Sequence, residues 1–187
     1  MRTDSVHREL IRDLRARLVQ HADPKSKRWW ENYVKNSAPF LGVKMAAIRS
    51  LVHQWHTQHV ADRLPPEKQV DLALAMFAEA HTEQKLAGTL FLGELLLPHN
   101  ALDPDRDLPR FAALFDDERI YDWNTCDWFC VKVLGPLIEK FGPTCADPIS
   151  DWRATHNLGV PARPSSPSST CYPTTSTPPP SKHPASP

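Results

Sequence analysis

The sequence predicts an all-α fold, and three features carry that reading. Apolar residues recur at three- and four-residue steps through nearly every segment before Leu158. No stretch alternates with period two for long enough to make a strand. The periodic segments are of ordinary helix length and are joined by short polar connections. This is the layout of a helical bundle or of stacked antiparallel helical hairpins. With no exact sequence repeat visible, the stacked version rests on helix lengths alone.

Each element has its own justification. From Asp4 to Gln20, His7, Leu10, Ile11, Leu14 and Leu18 share one helical face and Arg8, Arg12 and Arg15 another. The segment His21-Ala22-Asp23-Pro24 breaks this helix, and Asp23 suits the cap and Pro24 the first turn of a second helix bearing Trp29, Trp30, Tyr33 and Val34. Ser37 to Gly42 reads as a loop. Val43 to Val60, with Met45, Ile48, Leu51, Val52 and Trp55 in register, is a third helix, and Pro65-Pro66 punctuates the chain after it. Val70 to Phe77 and Leu86 to Leu97 give two more helices. The polar stretch Asp103 to Asp107 reads as a connecting loop, followed by helices at Leu108–Phe115, Asp122–Phe141 and from Pro148 to about Leu158.

At 187 residues the chain has room for one domain or a few stacked repeats. Lys+Arg and Asp+Glu are both 22, so no net charge argues for a polyanionic partner. The charge is nevertheless segregated: residues 1–60 carry 11 basic against 5 acidic side chains, and residues 61–127 carry 6 against 14. Lys25, Lys27, Arg28, Lys35, Lys44 and Arg49 surround Trp29 and Trp30, a composition that suits a phosphate backbone, although a solvated helix face beside an acidic neighbour explains the same charges. No apolar run is long enough to span a bilayer, and the N-terminus lacks the apolar core of a secretory signal, so an intracellular protein, nuclear or cytoplasmic, is predicted. Cys126, Cys130, Cys145 and Cys171 are too few and too irregular for a disulfide framework and are read as thiols. His53, His56 and His59 step along one helix without an acid at ligand spacing, which favours a solvated face over a metal site. No glycine-rich phosphate loop is present, so neither a metal nor a small-molecule cofactor is expected. Residues 1–158 are thus assigned to the helical domain. Residues 159–187 hold nine of the 19 prolines and no acid, and they are expected to be a disordered Pro/Ser/Thr-rich tail.

Chemistry concentrates in Tyr121-Asp122-Trp123-Asn124-Thr125-Cys126-Asp127-Trp128. If Asp122 or Asn124 caps a helix, Trp123 and Asp127 project from one face a turn apart. An aromatic ring beside a carboxylate suits a developing cation, through cation–π attraction and direct charge stabilisation. A buried tryptophan with a capping aspartate is the plain alternative.

Two segments carry a family resemblance. The run Trp30-Glu31-Asn32-Tyr33-Val34-Lys35-Asn36, with Phe40-Leu41-Gly42-Val43 and then Ile48-Arg49, resembles the N-terminal signature of the AlkD-like DNA alkylation repair glycosylases, which are built from HEAT-like repeats. Trp123-Asn124-Thr125-Cys126-Asp127 is similar to that family's Trp-Asp-x-Val-Asp motif. The resemblance implies a HEAT-like α-solenoid, acting as a monomer on duplex DNA, that hydrolyses the N-glycosidic bond of cationic N3- or N7-alkylated purines. It assigns Asp127 to stabilising the sugar cation and orienting water, Trp123 to packing on the deoxyribose of the lesion, and Tyr33 to a second aromatic contact. Lys35, Lys44 and Arg49 would touch the DNA backbone. The alternative is a non-catalytic helical-repeat module that binds protein or DNA. Family members continue beyond the helix matching Trp152–Leu158 with a Trp-x-x-Arg run and further helices, whereas here Gly159-Val160-Pro161-Ala162-Arg163-Pro164 follows. The prolines beside Arg163 forbid a helix there, which points to a reading-frame change or a retained intron near Leu158 and to a site only half present in this chain, whose own activity is left open.

Overall fold

The computed structural model describes residues 2–152, so the predicted tail and Arg163 lie outside the described residues. Among these, all regular elements are helical: α1 (Arg2–Gln20), α2 (Pro24–Tyr33), α3 (Met45–Trp55), α4 (Pro66–Ala75), α5 (Thr82–Leu90), α6 (Pro104–Asp116), α7 (Trp123–Phe129), α8 (Gly135–Phe141) and α9 (Pro143–Asp151). The fold is the all-α architecture that the periodicity predicted, in the stacked solenoid form that the resemblance implied.

Helices α3, α5 and α7 form one row, each packed on the next. They run parallel. The loop before α3 meets the start of α5 at Glu83, and Gly93, in the turn that follows α5, meets Lys132 in the turn that follows α7. Each helix of this row continues without a break into a π-helical turn: His56–Val60, Phe91–Leu96 and Cys130–Leu134. The repeat absent from the sequence is therefore present in the backbone. α1 runs antiparallel to α3, since Asp23 N–H donates to Gly42 O at 3.2 Å at one end while Glu9 and Arg63 pair at 3.2 Å near the other. α4 packs on α5 and α1, and α9 packs on α6. Behind the row of α3, α5 and α7 lies the main apolar core, with Trp55, Phe77, Phe91, Phe111 and Phe129 completely or almost completely buried, and Val34, Ala38 and Phe40 form a second, small cluster against Trp30.

Glycine is demanded at close approaches of the backbone, most tightly at Gly93 and Gly42. A Cβ on Gly93 would lie 2.1 Å from Lys132 O, so α5 and α7 pack this tightly only because position 93 has no side chain. Gly42 has φ +96°, and a Cβ there would lie 2.3 Å from Asp23 O.

Element boundaries follow their caps. Asp23 accepts from the N–H groups of Lys25 and Ser26, and Pro24 opens α2 as predicted. The stretch Asp103–Asp107 is not a loop: Asp103 caps α6 through the N–H groups of Asp105 and Arg106, and Pro104 is its first residue. α9 starts at Pro143 rather than Pro148, because Gly142, at φ +59°, ends α8 and the following proline restarts the chain.

Candidate active site

The aromatic residues singled out in the sequence meet where α2 ends and α7 begins. Asp122 caps α7, its carboxylate accepting from Thr125 N–H at 2.9 Å, which sets Trp123 as the first helical residue and Asp127 one turn further on. Lys85, on α5, fixes the approach to that cap. Its buried Nζ donates to Arg119 O at 2.7 Å and lies 4.3 Å from the centre of the Tyr121 ring. Burial lowers the pKa of this ammonium, and the Asp122 carboxylate opposes the shift.

Trp123 is 48% exposed and Tyr33 is 52% exposed, and their ring centres are 5.3 Å apart in an edge contact. Residues 90 apart in sequence thus form one aromatic surface. Trp29, 58% exposed, stacks on Tyr33 at 5.1 Å with the planes 11° apart. Trp30 anchors the group by stacking on buried Phe40. An apolar cleft lined by Trp30, Phe40, Ile48, Leu86 and Trp128 adjoins them between α3, α5 and α7. Asp127 is half-buried and shares its ridge of α7 with Trp123 and exposed Val131.

The loop carrying Phe40-Leu41-Gly42 is held by a residue that the sequence reading missed. Glu83 is 1% exposed, and its carboxylate accepts from the backbone N–H groups of Leu41, Gly42 and Val43 at 2.8, 2.7 and 3.0 Å. Thr82 adds N–H and hydroxyl bonds to Pro39 O. Hydrogen bonds to a charged group contribute roughly 1.5–3 kcal/mol each, so this anchor fixes α2 against α5. No local signal marks Glu83, because its partners lie some forty residues earlier.

The predicted basic residues separate into two environments. Lys35 and Lys44 are exposed at the two ends of the α2–α3 loop, and Lys35 adopts a left-handed conformation, φ 56°. Arg49 instead makes a forked pair with Glu94, from Nε at 2.8 and 3.1 Å and Nη2 at 3.0 Å. Glu94 also faces His53 at 3.5 Å and Lys132 at 3.4 Å, so α3 and the π-helical turns that follow α5 and α7 each contribute to one cluster. Burial alone would raise the Glu94 pKa, but the Arg49 hydrogen bonds and the neighbouring cations hold it below the usual carboxylate range. The histidines of this segment take separate partners: His56 meets Gln69 and His59 meets Arg17. Among the described residues, no group of three His, Cys, Asp or Glu side chains is placed to hold a metal ion, and no helix is long and apolar enough to cross a membrane.

Comparison with known proteins adds one finding. A family described as DNA alkylation repair enzyme matches residues 14–159, a span that takes in both the α2–α3 segment and α7. Neither a curated protein nor a solved structure matches the chain.

Proposed function

The chain belongs to the DNA alkylation repair enzyme family, and from that membership and the DNA repair role it carries we propose that it is a glycosylase. It hydrolyses the bond between deoxyribose and a cationic N3- or N7-alkylated purine in duplex DNA. The observation that carries the proposal is the half-exposed Tyr33–Trp123 pair, one helical turn from Asp127 and formed by the two motifs of the family resemblance.

The chemistry needs little from the protein. An alkylated purine already bears positive charge, so when the glycosidic bond breaks the electron pair returns to the base, which leaves neutral. Positive charge then develops on the sugar as an oxocarbenium ion. Asp127 stabilises that charge and orients the water that adds to the anomeric carbon, the water's proton passing to the carboxylate or to solvent and an abasic site remaining. Trp123 and Tyr33 pack against the deoxyribose and favour the cation through their ring faces. Lys35 and Lys44 lie against flanking phosphates. Arg49 acts first as a positioning group, locked to Glu94, and meets DNA only by exchanging that carboxylate for a phosphate.

The test is base release from duplex DNA containing 7-methylguanine or 3-methyladenine at low salt, comparing the chain with Asp127→Asn. The expected result is release that falls about a hundredfold or more in the variant, the scale on which a preorganised charge contributes to such a step. Equal release from both proteins removes Asp127 from the chemistry. No release from either sinks the hydrolytic reading and favours a DNA-binding module.

A further inference from the structure

Helix α2 is bound to the rest of the chain by few of its own residues. None of the ten is fully buried; it is held by the Asp23 cap, by Trp30 on Phe40 and by the Glu83 anchor of the following loop. Lys25, Trp29 and Tyr33 lie at four-residue steps along its outer ridge, with Arg28 beside Trp29. Lys25 and Arg28 are exposed and enter no salt bridge among the described residues.

The pose of Trp29 is set before any ligand arrives. Trp30 meets it edge-on at 4.8 Å and Tyr33 stacks on it at 5.1 Å, yet more than half of its surface faces water. A rigid exposed indole beside exposed cations is the composition of a nucleic-acid stacking platform, where the ring takes a nucleotide and the cations follow its phosphates. Trp29 and Trp123 both contact Tyr33, with ring centres 5.1 and 5.3 Å from it. Nucleotides along a DNA strand are about 3.4 Å apart, so one cluster of three rings can meet the lesion-bearing nucleotide and its neighbour.

We propose that Trp29 is a DNA-contact residue that packs on the nucleotide next to the one held by Tyr33 and Trp123, with Arg28 and Lys25 against the flanking phosphates. This rests on the reading of Tyr33 and Trp123 as the site of the lesion. Trp29 lies outside both motifs of the resemblance and far from Asp127 in sequence, so its contribution is to holding DNA and not to bond breaking.

The experiment is binding of the full chain to a fluorescein-labelled duplex carrying one tetrahydrofuran abasic analogue, and to the same duplex unmodified, for the wild type, Trp29→Ala and Trp29→Phe. Loss of one stacked ring is expected to weaken binding to both duplexes about tenfold, and phenylalanine is expected to restore most of it. The urea unfolding midpoint of Trp29→Ala is expected to fall only slightly, through the lost contacts with Trp30 and Tyr33, and to be the same for Trp29→Phe and wild type; where base release is measurable, KM rises while kcat holds. Unchanged binding by Trp29→Ala overturns the inference, as does an equal loss in Trp29→Phe accompanied by a lower unfolding midpoint. A wild-type chain that holds neither duplex overturns it too. Tight binding without base release leaves Trp29 standing and sinks only the hydrolytic reading.

Discussion

Phe129 and Trp123 lie six residues apart on the same helix, and the structure treats them in opposite ways. Phe129 is completely buried and meets Phe77, Phe111 and Phe115 edge-on at 5.6, 5.5 and 6.0 Å. Trp123 touches Tyr33 and otherwise stands half in water. The interior had room for aromatic rings and took many, so the exposed rings are not a failure to find a core. They are held in place by buried devices: the Asp122 cap, the Lys85 strut and the Glu83 anchor. The contrast separates residues that stabilise the solenoid from residues that the solenoid presents.

The comparison breaks first at its buried end. Phe129→Ala removes a ring packed on three others and is expected to cost about 3–5 kcal/mol, read from urea or thermal unfolding. An effect under about 1 kcal/mol would mean that this core is not packed as described. Trp123→Ala is the counterpart, and it should cost less than about 1 kcal/mol of stability, most of it the lost edge contact with Tyr33. Base release should nevertheless fall about tenfold or more. Were Trp123→Ala instead to unfold the protein while Phe129→Ala left it intact, the division between presented and stabilising rings would be wrong.

How much of this was legible in the sequence follows the same division. Periodicity located the helices because apolar burial on one face imposes it; Asp23-Pro24 marked its own cap, and of the two candidates Asp122 and Asn124 the structure uses Asp122. Trp123 and Asp127 are a turn apart, so their common ridge could be read locally. Tyr33 joined them only through the resemblance, since nothing local links residues 90 apart. Asp103–Asp107 misled because a capping acid followed by a charged first turn has the composition of a loop. The start of α5 was opaque for the converse reason. Thr82, Glu83, Gln84 and Lys85 look solvent-facing, yet all four are buried because α3, α4 and α7 surround this helix. The partners of Thr82, Glu83 and Lys85, which are Pro39, Leu41 to Val43 and Arg119, are more than thirty residues away, and only Gln84 finds its partner, Glu79, nearby. Glu94 and Arg49 show the same limit: each reads as an exposed charge, and only the parallel packing of α3 and α5 makes them a forked pair.

That pair gives the smallest expected effect and tests the boundary between the two regions. In the folded chain the Arg49 hydrogen bonds and the neighbouring cations outweigh burial and hold the Glu94 carboxyl below the usual carboxylate range. A depressed folded pKa means that its contribution to stability is present above the unfolded value and is lost as pH falls through the folded one. Glu94→Gln should therefore be less stable than wild type at neutral pH, by up to about 1 kcal/mol for a partly exposed cluster, and the difference should close in strong acid. The same change releases Arg49 and Lys132 from their shared carboxylate and leaves two cations on the face that adjoins Trp128. If that face meets DNA, the variant should bind duplex more tightly than wild type at low salt, with a steeper loss of affinity as salt rises. Lower stability combined with tighter binding would place Glu94 where a presented charge limits what the scaffold can hold. Lower stability with unchanged binding and an unchanged salt slope would make the cluster an interhelical tie and confine the DNA surface to α2 and the start of α7.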